Sequence, residues 1–224
     1  MKTSRFILAL LVVVNLSCLN DDEGNITNNG CIIGQGTIVM ETRTLPDFHN
    51  ITVAIFGEVL LTQGPLDDII IEAQSNVLQE LKTEVVNEEL IISTDQCVDI
   101  VDPIRLQISI PEIKSLTLAG VGDITAQNDF DLTELSITLA GVGSFTLRGT
   151  TNTLDITQAG LGSVQAFNLN TDICDITIAG TGDAEVFVND ELNVVIAGTG
   201  TVFYKGNPTI TSTISGTGAV VNSN

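Results

Sequence analysis

The chain has no tryptophan, one tyrosine and one histidine in 224 residues. So few aromatics leave almost no platform for stacking on sugar rings. His49 stands alone between Phe48 and Asn50 with no serine or cysteine nucleophile motif, so no catalytic triad can be drawn. One histidine and no Cys-x-x-Cys leave zinc without a ligand set. Positive charge is scarce as well: 8 Lys and Arg face 28 Asp and Glu, net −20. That balance argues against nucleic acid and against electrostatic attachment to anionic lipid. The apolar run at 6–16, broken by Asn15, is too short to cross a bilayer. What is present is apolar enough to fold: 43% of residues are hydrophobic and 16% charged, which separates this chain from disordered acidic ones.

Residues 115–224 repeat one short phrase six times: SLTLAGVGDIT, LSITLAGVGSFT, LDITQAGLGSVQ, CDITIAGTGDAE, LNVVIAGTGTVF and TSTISGTGAVV. The first glycines are Gly120, Gly141, Gly160, Gly180, Gly198 and Gly216, and the second are Gly122, Gly143, Gly162, Gly182, Gly200 and Gly218. A period near twenty marks a stacked, quasi-one-dimensional architecture. Before the glycines, apolar residues alternate (Leu116/Leu118, Ile137/Leu139, Ile176/Ile178, Val194/Ile196), as in a strand with one buried face. Gly-x-Gly then turns the chain, since glycine tolerates positive φ and close backbone approach. No crossover helix fits between copies, so equivalent strands must stack in parallel. The expected fold is all-β: a right-handed parallel β-helix, or β-solenoid, of about 20-residue coils, the hand following the bias of parallel crossovers.

Stacking turns repeat positions into columns. Ala119, Ala140, Ala159, Ala179, Ala197 and Ser215 form a small-residue column; Thr117, Thr138, Thr157, Thr177, Val195 and Thr213 form an outward one. Gln158 falls in the apolar column of Leu118, Leu139, Ile178, Ile196 and Ile214, and requires an amide partner if buried. Residues 31–111 are β-rich but less regular, with strands expected at 37–41, 50–56, 58–62, 68–73, 82–86, 89–93 and 105–110, and one helical turn at 76–81 capped by Asn76. They are expected to be wider coils of the same solenoid. No composition break marks a linker, so 36–224 is expected to be one domain.

Ahead of it, 1–17 has a basic start (Lys2, Arg5) and an apolar stretch, as in a secretory signal. Leu16-Ser17-Cys18 resembles the lipobox of bacterial lipoproteins, in which the cysteine carries the lipid; Asn15 departs from the usual aliphatic residue. Residues 18–35 then form a lipidated cysteine and a flexible acidic tether containing Asp21, Asp22 and Glu23. This run resembles signals that send Gram-negative lipoproteins to the outer face of the outer membrane; a periplasmic face is the alternative. Without Lys2 and Arg5, six basic residues stand against 28 acidic ones, net −22. With Cys18 lipidated and Cys174 in the buried column of Leu135, Leu154 and Leu192, Cys31 and Cys97 are the disulfide candidates in an oxidising compartment.

Further motifs carry a family resemblance: Phe48-x-x-Ile51-x-Val53, Val59-Leu60-Leu61-Thr62-Gln63-Gly64, Ile71-Glu72-Ala73, Leu90-Ile91-Ile92, Ile108-x-Ile110-Pro111-Glu112, the repeated Ala-Gly-x-Gly, and Tyr204-x-Gly206-x-Pro208 before Ser215-Gly216-x-Gly218. Across roughly 36–221 the chain resembles the auto-transporter adhesin head domain of GIN type. The family's Ser-Gly-Ser-Gly is here mostly Ala-Gly-Val/Thr-Gly. The resemblance implies a β-helical fold and an adhesive or surface role, and supplies no catalytic residues.

The remaining chemistry lies in carboxylates. Asp155 and Asp175 share a column, about 4.8 Å apart in backbone, close enough to raise a pKa or recruit a cation. Asp123 and Asp183 follow Gly-x-Gly and are similar to calcium-binding glycine-aspartate repeats, but only two of six copies carry them. An isolated calcium is the one cofactor left open. The leading expectation is a non-catalytic surface lipoprotein acting as an adhesin-like binding or structural module, with a glycan or protein ligand and a membrane contact through lipid alone. The alternative is a carbohydrate-active β-helix enzyme, a polysaccharide lyase or hydrolase. A concave groove holding several carboxylates with Arg105, Lys114 or Arg148 would favour it.

Overall fold

The computed structural model describes residues 27, 28 and 30–224; the expected signal, Cys18 and most of the expected tether lie outside the described residues. The chain is a β-solenoid of about five turns with roughly 20-residue coils. Each regular coil contributes three pairing segments. On the first face Ser115–Leu118 pairs in parallel with Phe130–Leu139, bringing Leu116 beside Ile137 and Leu118 beside Leu139. The second face starts within Gly-x-Gly, where Val121, Val142, Leu161, Thr181, Thr199 and Thr217 stack. On the third face Phe130 pairs with Gly149, and Gly149 with Leu169. Val142–Gln158, Leu161–Ile178 and Thr181–Ile196 run unbroken from the second face through to the next first face.

The period-two pattern has the expected cause. Leu116, Leu118, Ile137, Leu139, Ile156, Ile176, Ile178, Val194 and Ile196 point inward and are buried. Fully burying such a side chain is worth about 1.5–3 kcal/mol. Phe48, Phe130 and Phe145 are the largest fully buried side chains, among the described residues, of a core that continues to Val202. Cys174 stacks between Leu154 and Leu192 and is fully buried; burial pushes its thiol pKa far up, which leaves it unreactive.

In the first four Gly-x-Gly pairs only the second glycine lies at positive φ, while both glycines of a pair depend on close backbone approach. Gly143 and Gly162 lie at φ +148° and +144°, where a side chain is strained. The first glycines, Gly120 to Gly216, have no such φ. They are required by contact: a Cβ on Gly160 or Gly180 would run into the carbonyl oxygen of the first glycine one rung away, Gly141 or Gly160.

The N-terminal half departs from simple coils. Asn50–Val53 on the first face and Phe56–Gln63 on the second make one rung. The chain then leaves, forms Ile69–Gln74 and Leu81–Val86, and returns as Glu89–Thr94 and Ile104–Ile110. Those two strands stack on the outer side of the 50–63 rung, while Ser115–Leu118 and Val121–Ala126 stack on its other side. Stacking order therefore differs from chain order, and residues 111–114 cross over the earlier rung. The outer end closes with antiparallel strands: Ile38–Arg43 on Ile69–Gln74, and Leu81–Val86 on Glu89–Thr94. The helical turn is Ser75–Leu78, and Asn76 does not cap it. Its side chain instead accepts from the Gln35 amide and donates to the Ile33 carbonyl. A small separate sheet joins Thr27–Asn28, Cys31–Ile33 and Val98–Asp99, with a disulfide between Cys31 and Cys97.

Gln158 is fully buried and donates from Nε2 to the Gly162 carbonyl at 2.6 Å, but its Oε1 has no partner. An unsatisfied buried acceptor costs about 1–3 kcal/mol. Replacement by the leucine of neighbouring coils (Gln158→Leu) is therefore expected to raise the melting temperature. A clear fall would show that the bond to Gly162 outweighs the orphaned oxygen.

Candidate functional site

The structure brings Asp155 and Asp175 together, as their spacing requires, but keeps Asp123 and Asp183 apart from each other. Asp155 and Asp175 pair in register on the first face. Asp123 and Asp183 lie on the second face, separated by the Ser144 and Ser163 rungs. The latter two are occupied by the fold. Asp123 Oδ1 accepts from the backbone N–H and hydroxyl of Ser144 on the next rung, and Asp183 Oδ1 accepts from the Thr201 N–H at 2.7 Å. Each satisfies a backbone donor just past the glycine turn.

The first-face pair is less evenly served. Asn193 donates to Asp175 at 2.9 Å and to Glu191 at 2.9 Å. Desolvation raises the pKa of Asp155, with further contributions from the charges of Asp175 and Glu134. The sign follows: an acid with a raised folded pKa destabilises the fold where it is ionised, and that penalty is relieved as pH falls through the folded pKa. Asp155→Asn should melt higher than the parent at pH 7, with the difference vanishing near pH 3. An equal difference at both values would rule out charge as its cause. Among the described residues, no group of three or more His, Cys, Asp or Glu side chains is arranged to hold a metal.

Five of the six described basic residues meet neighbouring acids. Arg105 meets Glu58 at 3.0 Å and Glu72 at 3.9 Å on flanking strands. Arg148 meets Asp129 at 3.4 Å and donates to the Gln127 carbonyl. Arg43 pairs with Glu41, Lys82 with Asp95 and Lys114 with Glu112. Lys205 sits 4.4 Å from the centroid of the Phe167 ring. Each of the six described Lys and Arg residues thus has an internal partner.

Two features were missed at the level of sequence. The first is a cleft of about 350 Å³ where residues 111–114 cross the earlier rung, lined by Gln63, Glu112, Lys114, Asp131 and Glu134 among others. Gln63 braces it: its Nε2 donates to the carbonyls of Pro111 and Asp131, and its Oε1 accepts from the Asp131 N–H. His49 Nδ1 lies 3.6 Å from Glu112 at its back, without a hydrogen bond. No local motif announces this cleft, because the out-of-order rung creates it. The second is a ridge. Phe56, Val121, Val142 and Leu161 stack at one corner, 38–53% exposed, and Thr181, Thr199 and Thr217 continue the column. With the neighbouring Ala/Ser and Gly columns it carries no charge over seven rungs. Its signal was legible as the x of Gly-x-Gly.

Comparison with solved structures finds the same fold. A protein from Bacteroides fragilis NCTC 9343, described as a putative adhesin, is 21% identical with a TM-score of 0.71, covering 86% of this chain and 100% of its own. One from Parabacteroides distasonis ATCC 8503, described as a putative lipid binding protein, is 21% identical with a TM-score of 0.56, covering 86% and 99%. No curated protein matches. The family model described as "Putative auto-transporter adhesin, head GIN domain" matches residues 47–208, and the chain belongs to that family.

Proposed function

We propose that this chain is a non-catalytic binding or structural module, displayed on the outer face of a Gram-negative outer membrane and held there by a lipid on Cys18. The observation that carries the non-catalytic reading is that every described basic residue is taken by an internal partner. Among the described residues no lysine or arginine stands without such a partner to bind an acidic polysaccharide or to neutralise charge developing in a transition state. The adhesin-type family supports the same class. A stack of parallel rungs makes a stiff rod whose outer columns repeat at about 4.8 Å, a geometry suited to presenting a surface. A glycan and matrix-protein array with added lipids tests the reading: selective binding to one class is expected, and binding to none removes the adhesive role.

The crossing cleft favours one alternative, a carbohydrate-active enzyme, because it places Lys114 among Glu112, Asp131 and Glu134. Lys114 is already paired with Glu112 at 3.5 Å. Incubation with uronate polysaccharides is expected to yield neither unsaturated ends nor new reducing ends; either product would reverse the assignment.

Lipidation is tested separately. A fatty-acid analogue should label the parent and not Cys18→Ala, and protease shaving of intact cells should remove the domain. Equal labelling of both forms would discard the anchor, and resistance to shaving would place the domain on the periplasmic side.

A further inference from the structure

The two ends of the solenoid are finished differently. At the outer N-terminal end, the last strands are antiparallel and carry charges: Glu41 and Arg43 on one, Lys82 and Glu84 on the other. Such charges are a usual protection of an exposed edge. At the other end the last described rung is Thr209–Ile214 and Thr217–Asn222, each paired on one side only among the described residues. Every residue of Thr209–Ile214 is exposed, including Ile210 at 39% and Ile214 at 44%. No charged residue occurs from Gly206 to Asn224, in a chain of net charge −20. Asn224 folds back, its side chain exchanging hydrogen bonds with the Gly206 backbone, and leaves this edge open.

The strand also has a symmetric sequence, Ile210-Thr211-Ser212-Thr213-Ile214. The Ser215 N–H points into the stack, to the Ile196 carbonyl at 2.8 Å. By the alternation of a strand, the N–H and C=O groups of Ile210, Ser212 and Ile214 then face the open edge.

We infer that this edge pairs with the same edge of a second copy, antiparallel about a two-fold axis at Ser212, to give an end-to-end dimer. In that register Ile210 lies opposite Ile214 of the second copy, Thr211 opposite Thr213, and Ser212 opposite itself. Like therefore meets like at every position, and each contact is repeated by its symmetry mate, as in any two-fold interface. The unpaired backbone groups gain partners and the exposed isoleucines gain cover. The contact is one coil wide and buries on the order of 1,000 Å² or less, at the low end for specific interfaces. The dimer is therefore weak and concentration-dependent. Because the edge is neutral while the bodies repel, added salt strengthens association by screening, opposite to an interface held by ion pairs.

The experiment compares three purified full chains: the parent, Ser212→Cys and Thr209→Cys. Under mild oxidation Ser212→Cys is expected to form a covalent dimer well above the parent's background, which includes any contribution from Cys18. In an antiparallel pair the two introduced sulfurs lie across one residue pair, with Cα atoms about 5.5 Å apart. Thr209 and its copy would be about 20 Å apart in this register, so Thr209→Cys should stay at background. Sedimentation of the parent should show a reversible monomer–dimer equilibrium that tightens with salt. The double variant Thr211→Lys/Thr213→Lys should remain monomeric with an unchanged melting temperature. Equal cross-linking of the two cysteine variants overturns the proposal. So does a parent that stays monomeric at several hundred micromolar, about the range of a weak interface, or one that forms open-ended oligomers.

Discussion

Gly162→Val is expected to lower stability by several kcal/mol and to prevent folding at 37 °C if the parent margin is ordinary. Two costs combine at this residue. At φ +144° a β-branched side chain is strained by about 1–3 kcal/mol. Its Cβ would also collide with the Gly143 carbonyl on the adjacent rung, and backbone on both sides leaves that contact no room to relax. Gly180→Val carries the collision without the φ cost and should fall between Gly162→Val and the parent. Gly218→Val belongs to the terminal rung, which has a neighbour on one side only, and should be milder. Thr157→Val, on an exposed outward column, should change stability by less than about 0.5 kcal/mol. Thermal melts of the four variants give the order directly. A Gly162→Val protein that melts like the parent would mean that the second-glycine column does not stack as described.

Cys97→Ser, or reduction of the parent, should remove up to about 4 kcal/mol in the chain-entropy account of a 66-residue separation. The effect should concentrate at the N-terminal end. The disulfide ties the small sheet of Thr27–Asn28, Cys31–Ile33 and Val98–Asp99 to the segment that follows Glu89–Thr94. The regular coils hold themselves by their own ladders. Hydrogen exchange after reduction should therefore rise first in residues 27–43 and 93–101, with Val142–Gln158 keeping its protection. Uniform loss of protection along the solenoid would show that the bridge supports the whole core. Peptide mapping without reduction should recover Cys31 joined to Cys97; two free thiols there would refute the pairing.

The repeat determined most of the architecture without help from tertiary structure. Alternating Leu and Ile require one buried face, a period near twenty leaves no room for helices, and equivalent positions must then stack. That is why the Leu116/Ile137 register, the stacking of Asp155 on Asp175, the apolar column that holds Gln158 and the burial of Cys174 could all be read from spacing alone. These are short-range consequences of a constant repeat. Three things were decided only by the fold. Residues 89–110 stack beyond residues 50–63 rather than after them, because a strand edge accepts any partner with matching pleat and burial, whatever its place in the chain. The cleft at Gln63, Glu112 and Lys114 follows from that crossing, so no local motif encodes it. Asp123 and Asp183 are spent on Ser144 and Thr201, and five of the six described basic side chains on nearby carboxylates, because charged groups in a dense ladder bind the nearest complementary atoms. Sequence spacing says which residues are neighbours; only the three-dimensional arrangement says which of them remain free for a partner.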